Sequence, residues 1–542
     1  MEERPQAIRG QSSRIFDVLV IGGGINGAVS AASLSGQGAC VALVEKNDFG
    51  SFTSQESSNL VWGGIKYLET YEFALVRDLC LSRNFLLRQL PDQVREIRFL
   101  SPHAPSFRRG LGLLYFASWF YWFIGNFATR TPKLYSQRKL EQLEPGVRSE
   151  IFDGAMEYSD GILVEHDSRF VFHFIREAQR HGAEVLNYAQ ALPPKKNTEG
   201  IWECPVRDQI SGKEWMVRSR VLVNAAGPYA ASLNEASGVR TKHGLLLSKG
   251  VHLITRRLTE SDKVLAFFAD DGRLFFAIPM GSRSCIGTTD TRVTELPASV
   301  TEEDRDFILR NINKRLRLEK PLTREDIISE RCGVRPLAVE KKTGSHNQGG
   351  KTEDWMKLSR KHEMEVNREL SHITLFGGKL TDAIAVGREA AAKVRSLGVA
   401  LPRSGATWWR TFDFSDRKEF FAEGKKKFAL DDSDLSRLWM RYGSSARDLF
   451  PLFEKSPHLT EPIFPDAEYL LGEAHLAAAS ENVVHFADLL RRRTRMSLLF
   501  HKDELAAQKN LREAAAIIFG KEADQKWKDY FNPSPQPEEA GH

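Results

Sequence analysis

The 542-residue chain has five cysteines, and no two of them stand in a C-x-x-C pair. Cys40, Cys80, Cys204, Cys285 and Cys332 are odd in number and far apart. That argues against a disulfide framework or a cysteine zinc site, and for a reducing compartment. Excess charge is also missing. The 76 Lys and Arg against 71 Asp and Glu leave +5, too little to suggest a nucleic-acid partner, though compatible with an anionic substrate or membrane surface. No internal repeat is evident, and residues 1–14 lack the apolar centre of a secretion signal and read as a flexible tail. Residues 532–542, with three prolines, two glutamates and a glycine, read as a second, disordered tail. A run fit to cross a membrane is scarcely present. Residues 110–127 are uncharged and hold eight aromatics, but they are only 18 long and contain Gly110, Gly112 and Gly125. With arginines on both sides, this run suits the headgroup boundary of a membrane, a buried or subunit contact, or, least well, a span.

What is present is concentrated near the start. The β-branched run Val18-Leu19-Val20-Ile21 leads into Gly22, Gly24 and Gly27 at G-x-G-x-x-G spacing, then a small-residue run and a second apolar run ending at Glu45. Gly22 serves the sharp strand-to-helix turn, Gly24 lets a pyrophosphate approach the backbone, and Gly27 lets helix pack on strand. Ile25 and Asn26 sit in this turn, where free N–H groups and the helix dipole favour an anion. Glu45, 18 residues after Gly27, is placed to accept hydrogen bonds from an adenosine ribose, with Lys46 beside it. A dinucleotide is therefore expected here. At 27% charged and 42% hydrophobic residues the chain is an ordinary folded protein, long enough for two or three domains.

The loop that follows carries Thr53, Ser54, Ser57 and Ser58, then Gly63-Gly64 and Ile65-Lys66-Tyr67-Leu68-Glu69. Its frame resembles the T-S-x-x-S-S-K-L-I-H-G-G-L-R-Y-L-E pattern of the FAD-dependent, respiratory glycerol-3-phosphate dehydrogenases, with Asn59, Trp62 and Lys66 in place of lysine, histidine and arginine. Other segments resemble the same family. They are Tyr158-Ser159-Asp160, Lys249-Gly250-Val251-His252, Gly333-Val334-Arg335-Pro336-Leu337, Gly377-Gly378-Lys379-Leu380-Thr381, and the basic run Arg491 to Arg495; the turn Ala225-Ala226-Gly227 resembles the A-x-G turn that flavoproteins of this fold bring back to the cofactor. By its residues alone, that basic run reads better as a solvated helix face than as a ligand site.

The resemblance implies an α/β plus α fold. An FAD-binding Rossmann-like domain of the amino-acid-oxidase type (segments about 15–100, 150–240 and 365–400) would interleave with an antiparallel-sheet substrate domain (about 100–150 and 240–365). A C-terminal α-helical domain would follow at 411–531. FAD is the implied cofactor, with no metal. The implied reaction takes sn-glycerol 3-phosphate to dihydroxyacetone phosphate, passing the C2 hydrogen as a hydride to flavin N5 and electrons on to a quinone. Lys66, Tyr67, Arg335 and, by a looser match, Arg360 would hold the substrate; Arg335 suits a phosphate because its planar fork is permanently charged. His252 or Lys379 would be the base, although His252 reads equally well as a structural histidine. A peripheral or monotopic contact with the cytoplasmic face of the inner membrane and an assembly of identical subunits are also expected. Two other readings stay open: an oxidase of the amino-acid-oxidase class acting on an amine, hydroxy acid or polyol, and a non-catalytic flavoprotein.

Overall fold

The computed structural model describes residues 14–105, 107, 109–341, 361–405, 407–410, 414–464 and 466–533. Arg360 lies outside them, as do residues 1–13 and 534–542 of the two tails. The chain divides into two compact units, residues 1–410 and 411–542.

The principal elements of the first unit, in chain order, begin with β1 (Ile15–Ile21), α1 (Ile25–Gly36), β2 (Val41–Val44), β3 (Val94–His103), α2 (Leu111–Ile124), β4 (Gly154–Leu163), α3 (Asp167–Arg180) and β5 (Glu184–Leu186). There follow β6 (Glu214–Asn224), β7 (His243–Arg256), β8 (Val264–Phe268), β9 (Leu274–Met280), β10 (Arg283–Gly287), β11 (Ser329–Glu340), β12 (Glu363–Asn367), β13 (His372–Phe376) and α4 (Ala383–Ser396).

The first sheet runs β12-β13-β6-β1-β2-β5, parallel except at the β12 edge. Val18, Leu19 and Val20 of β1 are fully buried, as expected for a parallel strand covered on both faces. All of α1 is buried, and it packs against α3 and α4. Small residues make this possible: a Cβ on Gly387 of α4 would come 2.9 Å from the Val29 carbonyl oxygen. The second sheet runs from residues 291–293 through β7-β10-β9-β8-β3-β4 to residues 60–61, with β11 on the other edge of β7. It thus recruits β4 and residues 60–61 from stretches that the sequence suggests belong to the cofactor domain. The cause is pairing: β4 lies antiparallel against β3 over its whole length, while β3 itself joins β8 in parallel, so the sheet is mixed and not the purely antiparallel one expected from the sequence.

The aromatic run forms α2, only 14 residues long. Among the described residues no helix is long and apolar enough to cross a membrane, so the spanning alternative falls. Ser118 and Tyr121 face inward, whereas Leu113, Phe116, Trp119, Phe120 and Phe123 are exposed. Exposed Tyr71 and Phe73 adjoin them, the Phe73 and Phe120 rings meeting edge-on at 5.7 Å. Burial of the whole run in a core is therefore excluded as well.

The second unit is helical, with a core around stacked Phe420 and Phe450 and a buried Arg441–Glu473 pair at 3.0 Å. Its basic run is not a solvated helix face. Residues Asp488–Arg493 form a π-helical turn in which Arg493 is 2% exposed and donates to the Glu481 carbonyl at 2.8 Å, while Arg492 pairs with buried Asp488.

Within the first unit, the two sheets are joined by a fully buried ion pair between Arg331 of β11 and Asp167 at the start of α3. Arg331 also donates to the Gln55 carbonyl at 2.7 Å, and Asp167 accepts from the Ser57 N–H and hydroxyl, each at 2.9 Å. Removing one partner leaves the other charge buried and uncompensated. Arg331→Leu should therefore cost about 3–5 kcal/mol, read as an earlier first unfolding transition in urea, and should loosen residues 55–59 to proteolysis.

Candidate active site

Two clefts share Thr53 and Ser54 and form one trough across the first unit. One end is lined by Gly22, Gly24, Glu45, Lys46, Ala226, Gly227 and Tyr229. The other is lined by Ile25, Ser57, Ser58, Trp62, Tyr67, Gly250, His252, Gly333, Arg335 and residues 377–381. A third cleft, lined by Lys66, Arg273, Asp290 and again Trp62, Tyr67 and Arg335, opens from that second end.

The first end fits the adenosine and pyrophosphate of FAD. Gly22 has φ of +108°, a region that glycine favours, and a Cβ there would come 2.5 Å from the Ala225 carbonyl oxygen. A Cβ on Gly27 would lie 1.9 Å from the Gly22 oxygen, so only glycine lets α1 start this close to β1. Ser54 accepts the Ile25 N–H at 3.1 Å, which places its hydroxyl at the helix start. Glu45 is buried and its carboxylate accepts the Gly23 N–H at 2.6 Å and the Asn47 N–H at 2.8 Å. Burial raises its pKa, and those two bonds oppose the rise. Lys46 lies 3.5 Å from the Tyr229 ring centroid, roofing this end.

The second end has the shape a flavin requires. The turn after β13 places Gly377 (φ +71°) and Gly378 (φ +103°) against α1, where Asn26 donates to the Gly377 carbonyl at 2.9 Å. Thr381 donates to the Trp62 carbonyl at 3.2 Å, and Lys379 reaches the Tyr67 hydroxyl at 3.0 Å. Gly63 and Gly64 shape the turn behind Trp62 and Tyr67 but do not line the trough. The Gly63 N–H is held by Asp160 at 3.0 Å, and Asp160 also takes Arg83 and the Tyr121 hydroxyl of α2.

The floor is the β7–β11 ribbon. Its register sets Ser248 opposite Arg335, Gly250 opposite Gly333 and His252 opposite Arg331, so all six share one face. The two central glycines clear a slot. A Cβ on Gly250 would come 2.2 Å from Arg335 Nη2, and one on Gly333 would come 3.0 Å from Glu56 Cβ. Arg335 lies flat over Gly250, bonded to Asp290 at 3.0 Å and Thr288 at 3.3 Å. His252 is buried, and neither ring nitrogen has a hydrogen-bond partner among the described residues. Burial, then the charges of Arg331 and Arg335, lower its pKa to about 3, so the ring is neutral. Lys249, by contrast, is tied to Asp304 at 2.6 Å and serves the fold.

The structure thus brings Lys66, Tyr67, His252, Arg335 and Lys379 to one end of the trough. It adds Arg273, which sequence reasoning missed. Arg273 comes from the β8–β9 hairpin, bonds Asp271 at 2.6 Å and the Asp290 carbonyl at 3.2 Å, and no local motif marks it. Asn59 also gains a reason. At φ +60°, a conformation asparagine tolerates, its carboxamide oxygen accepts the Asp167 N–H at 3.1 Å and so caps α3.

Known proteins share this arrangement. Residues 17–392 match the sequence pattern of the FAD dependent oxidoreductase family, and residues 399–526 that of the C-terminal domain of alpha-glycerophosphate oxidase. A glycerol-3-phosphate dehydrogenase of Pseudomonas tolaasii is 34% identical over 70% of this chain and 72% of its own. Glycerol-3-phosphate dehydrogenase 2 of Mycobacterium tuberculosis is 30% identical over 93% of this chain and 85% of its own. The crystal structure of the glycerol-3-phosphate dehydrogenase from Bacillus halodurans complexed with FAD superposes with a TM-score of 0.72, at 25% identity over 99% of both chains. With its glycine cradle, its two-ended trough and these relatives, the chain is an FAD-binding enzyme of the FAD-dependent glycerol-3-phosphate dehydrogenase family.

Proposed function

We propose that this enzyme oxidises the C2 hydroxyl of sn-glycerol 3-phosphate to dihydroxyacetone phosphate and passes the electrons to a membrane quinone. The observation that carries the reading is the placing of Arg335, Lys66 and Arg273 at a mouth that opens beside a neutral histidine with no hydrogen-bond partner among the described residues. FAD supplies the hydride acceptor. Arg335, braced by Asp290 and Thr288, presents a fixed fork to the phosphate, while Lys66 adds a point charge at the same mouth. His252 has a ring lone pair available to take the hydroxyl proton. Burial is the larger cause of its lowered pKa; an incoming phosphate dianion offsets the smaller part that comes from the Arg331 and Arg335 charges, which strengthens the base once substrate is bound. Lys379 is engaged with Tyr67 and fits better as an electrostatic neighbour than as the base. Trp62, packed at 5.9 Å on Tyr67 and 6.4 Å on Phe276, narrows the passage between mouth and flavin end, which suits a three-carbon substrate.

The exposed aromatic face of α2, with Tyr71, Phe73 and flanking Arg109 and Arg130, supports a peripheral contact with an anionic bilayer, where a quinone would be met. The cytoplasmic face of the inner membrane is the location this reading implies, with identical subunits assembled there.

Anaerobic addition of sn-glycerol 3-phosphate to the FAD-loaded protein should bleach the flavin absorbance near roughly 450 nm. Bound FAD that stays oxidised would sink the substrate assignment. Stoichiometric peroxide in air with no quinone reduction would move the enzyme to the oxidase class. Two substitutions should separate binding from chemistry. Gly250→Ala displaces the Arg335 guanidinium and should raise KM about tenfold, whereas His252→Asn should lower kcat on the order of 10²-fold or more; equal effects on both constants would refute the division of roles. In flotation assays the protein should rise with vesicles containing anionic lipid, and Phe116→Ser with Phe123→Ser should leave it at the bottom of the gradient.

A further inference from the structure

The turn after β13 is backed by a cluster that the proposed chemistry does not use, buried at His362 and Asp382 and half-exposed at Glu389. His362, just before β12, has Nδ1 2.7 Å from an Asp382 oxygen and Nε2 3.0 Å from a Glu389 oxygen of α4. Both ring nitrogens face carboxylates, and only an imidazolium can donate to both. Burial opposes that charge, but the bonds from Asp382 and Glu389 outweigh it, and the pKa rises to about 9. Glu389 is lowered in return by its bond to His362. The other oxygen of Asp382 accepts the Lys379 N–H at 2.9 Å. The His362 backbone itself packs on the turn: a Cβ on Gly377 would come 3.1 Å from the Lys361 oxygen and 3.7 Å from the His362 Cα. The remaining charges here are Lys361, which lines the trough, Lys379 on Tyr67, and Lys393, 3.8 Å from Glu389.

Asp382 is needed to hold the turn, yet its carboxylate places a negative charge behind the flavin end of the trough. Accepting electrons adds negative charge to a flavin, so an uncompensated carboxylate there would oppose reduction. We propose that His362 is a positioning residue whose imidazolium fixes Asp382 under the Gly377–Thr381 turn and cancels its charge, raising the ease with which bound FAD is reduced. The inference rests on the FAD-binding reading of the trough and is independent of which substrate the enzyme oxidises.

The test is the two-electron midpoint potential of the bound FAD, measured with a chemical reductant and reference dyes on purified holoenzyme without substrate. His362→Gln should lower it, by about a tenfold change in the reduction equilibrium, which is about 30 mV for a two-electron couple. Asp382→Asn should raise it, and the double variant, with both charges gone, should return close to the parent value. Asp382→Asn alone carries the test if His362→Gln loses its FAD. A potential lowered or unchanged in Asp382→Asn, or a double variant lower than either single one, would overturn the proposal and leave His362 a purely structural residue. A holoenzyme that follows this pattern but ignores glycerol 3-phosphate would refute the substrate assignment alone.

Discussion

The buried pair between Arg331 and Asp167 is the constraint on which the rest of the site depends. Asp167 starts α3 in the nucleotide half, and Arg331 belongs to the ribbon that floors the other half. Residues 55–59 are gathered between them by the Gln55 carbonyl, both donors of Ser57 and the carboxamide of Asn59. One ion pair therefore sets the height of the serine-rich loop over the floor. The same arginine lies across from His252 in the ribbon and helps keep that ring neutral. Such a pair is costly to desolvate, and its value here is in positioning more than in net stability.

Much of the cofactor site was legible because its demands are local. A strand, three glycines, a helix and an acid at fixed spacing describe β1 to Glu45 with no tertiary information, and Gly377-Gly378-Lys379 is a turn of the same kind. Local motifs also brought Arg335 and His252 forward. What stayed hidden depends on register between distant segments. Gly250 and Gly333 stand some eighty positions apart in sequence, and nothing in either segment says that they face each other across a slot. Arg273 is one of many arginines until its hairpin folds over the mouth. The basic run in the second unit misled for the opposite reason. Its composition suggests a wet surface, yet Asp488 pairs with Arg492 and the carbonyl at 481 takes the buried Arg493. For residues 110–127, composition left three environments open, and the pattern of exposure along α2 removes burial in the chain's own core.

Charge is handled differently at the two ends of the trough. At the nucleotide end, one buried carboxylate is held by two backbone N–H groups, and the lysine next to it rests on an aromatic ring. At the flavin end, Lys66, Arg273, Arg335, Lys361 and Lys379 line the walls, Asp290 is bonded to Arg335, and Asp382 behind the wall accepts the Lys379 N–H. Such a set of cations at the mouth favours an anionic ligand.

The strand order of the first sheet has a consequence for biosynthesis. β1 is central, yet its neighbours are β2, some twenty residues on, and β6, some two hundred residues on, with β13 beyond that. During synthesis β1 pairs early on one side and presents a bare, strongly hydrophobic edge on the other until residue 224 has left the ribosome. The wall formed by residues 377–381 is made later still. Premature termination anywhere in the intervening stretch leaves an open edge strand, the feature most prone to aggregate.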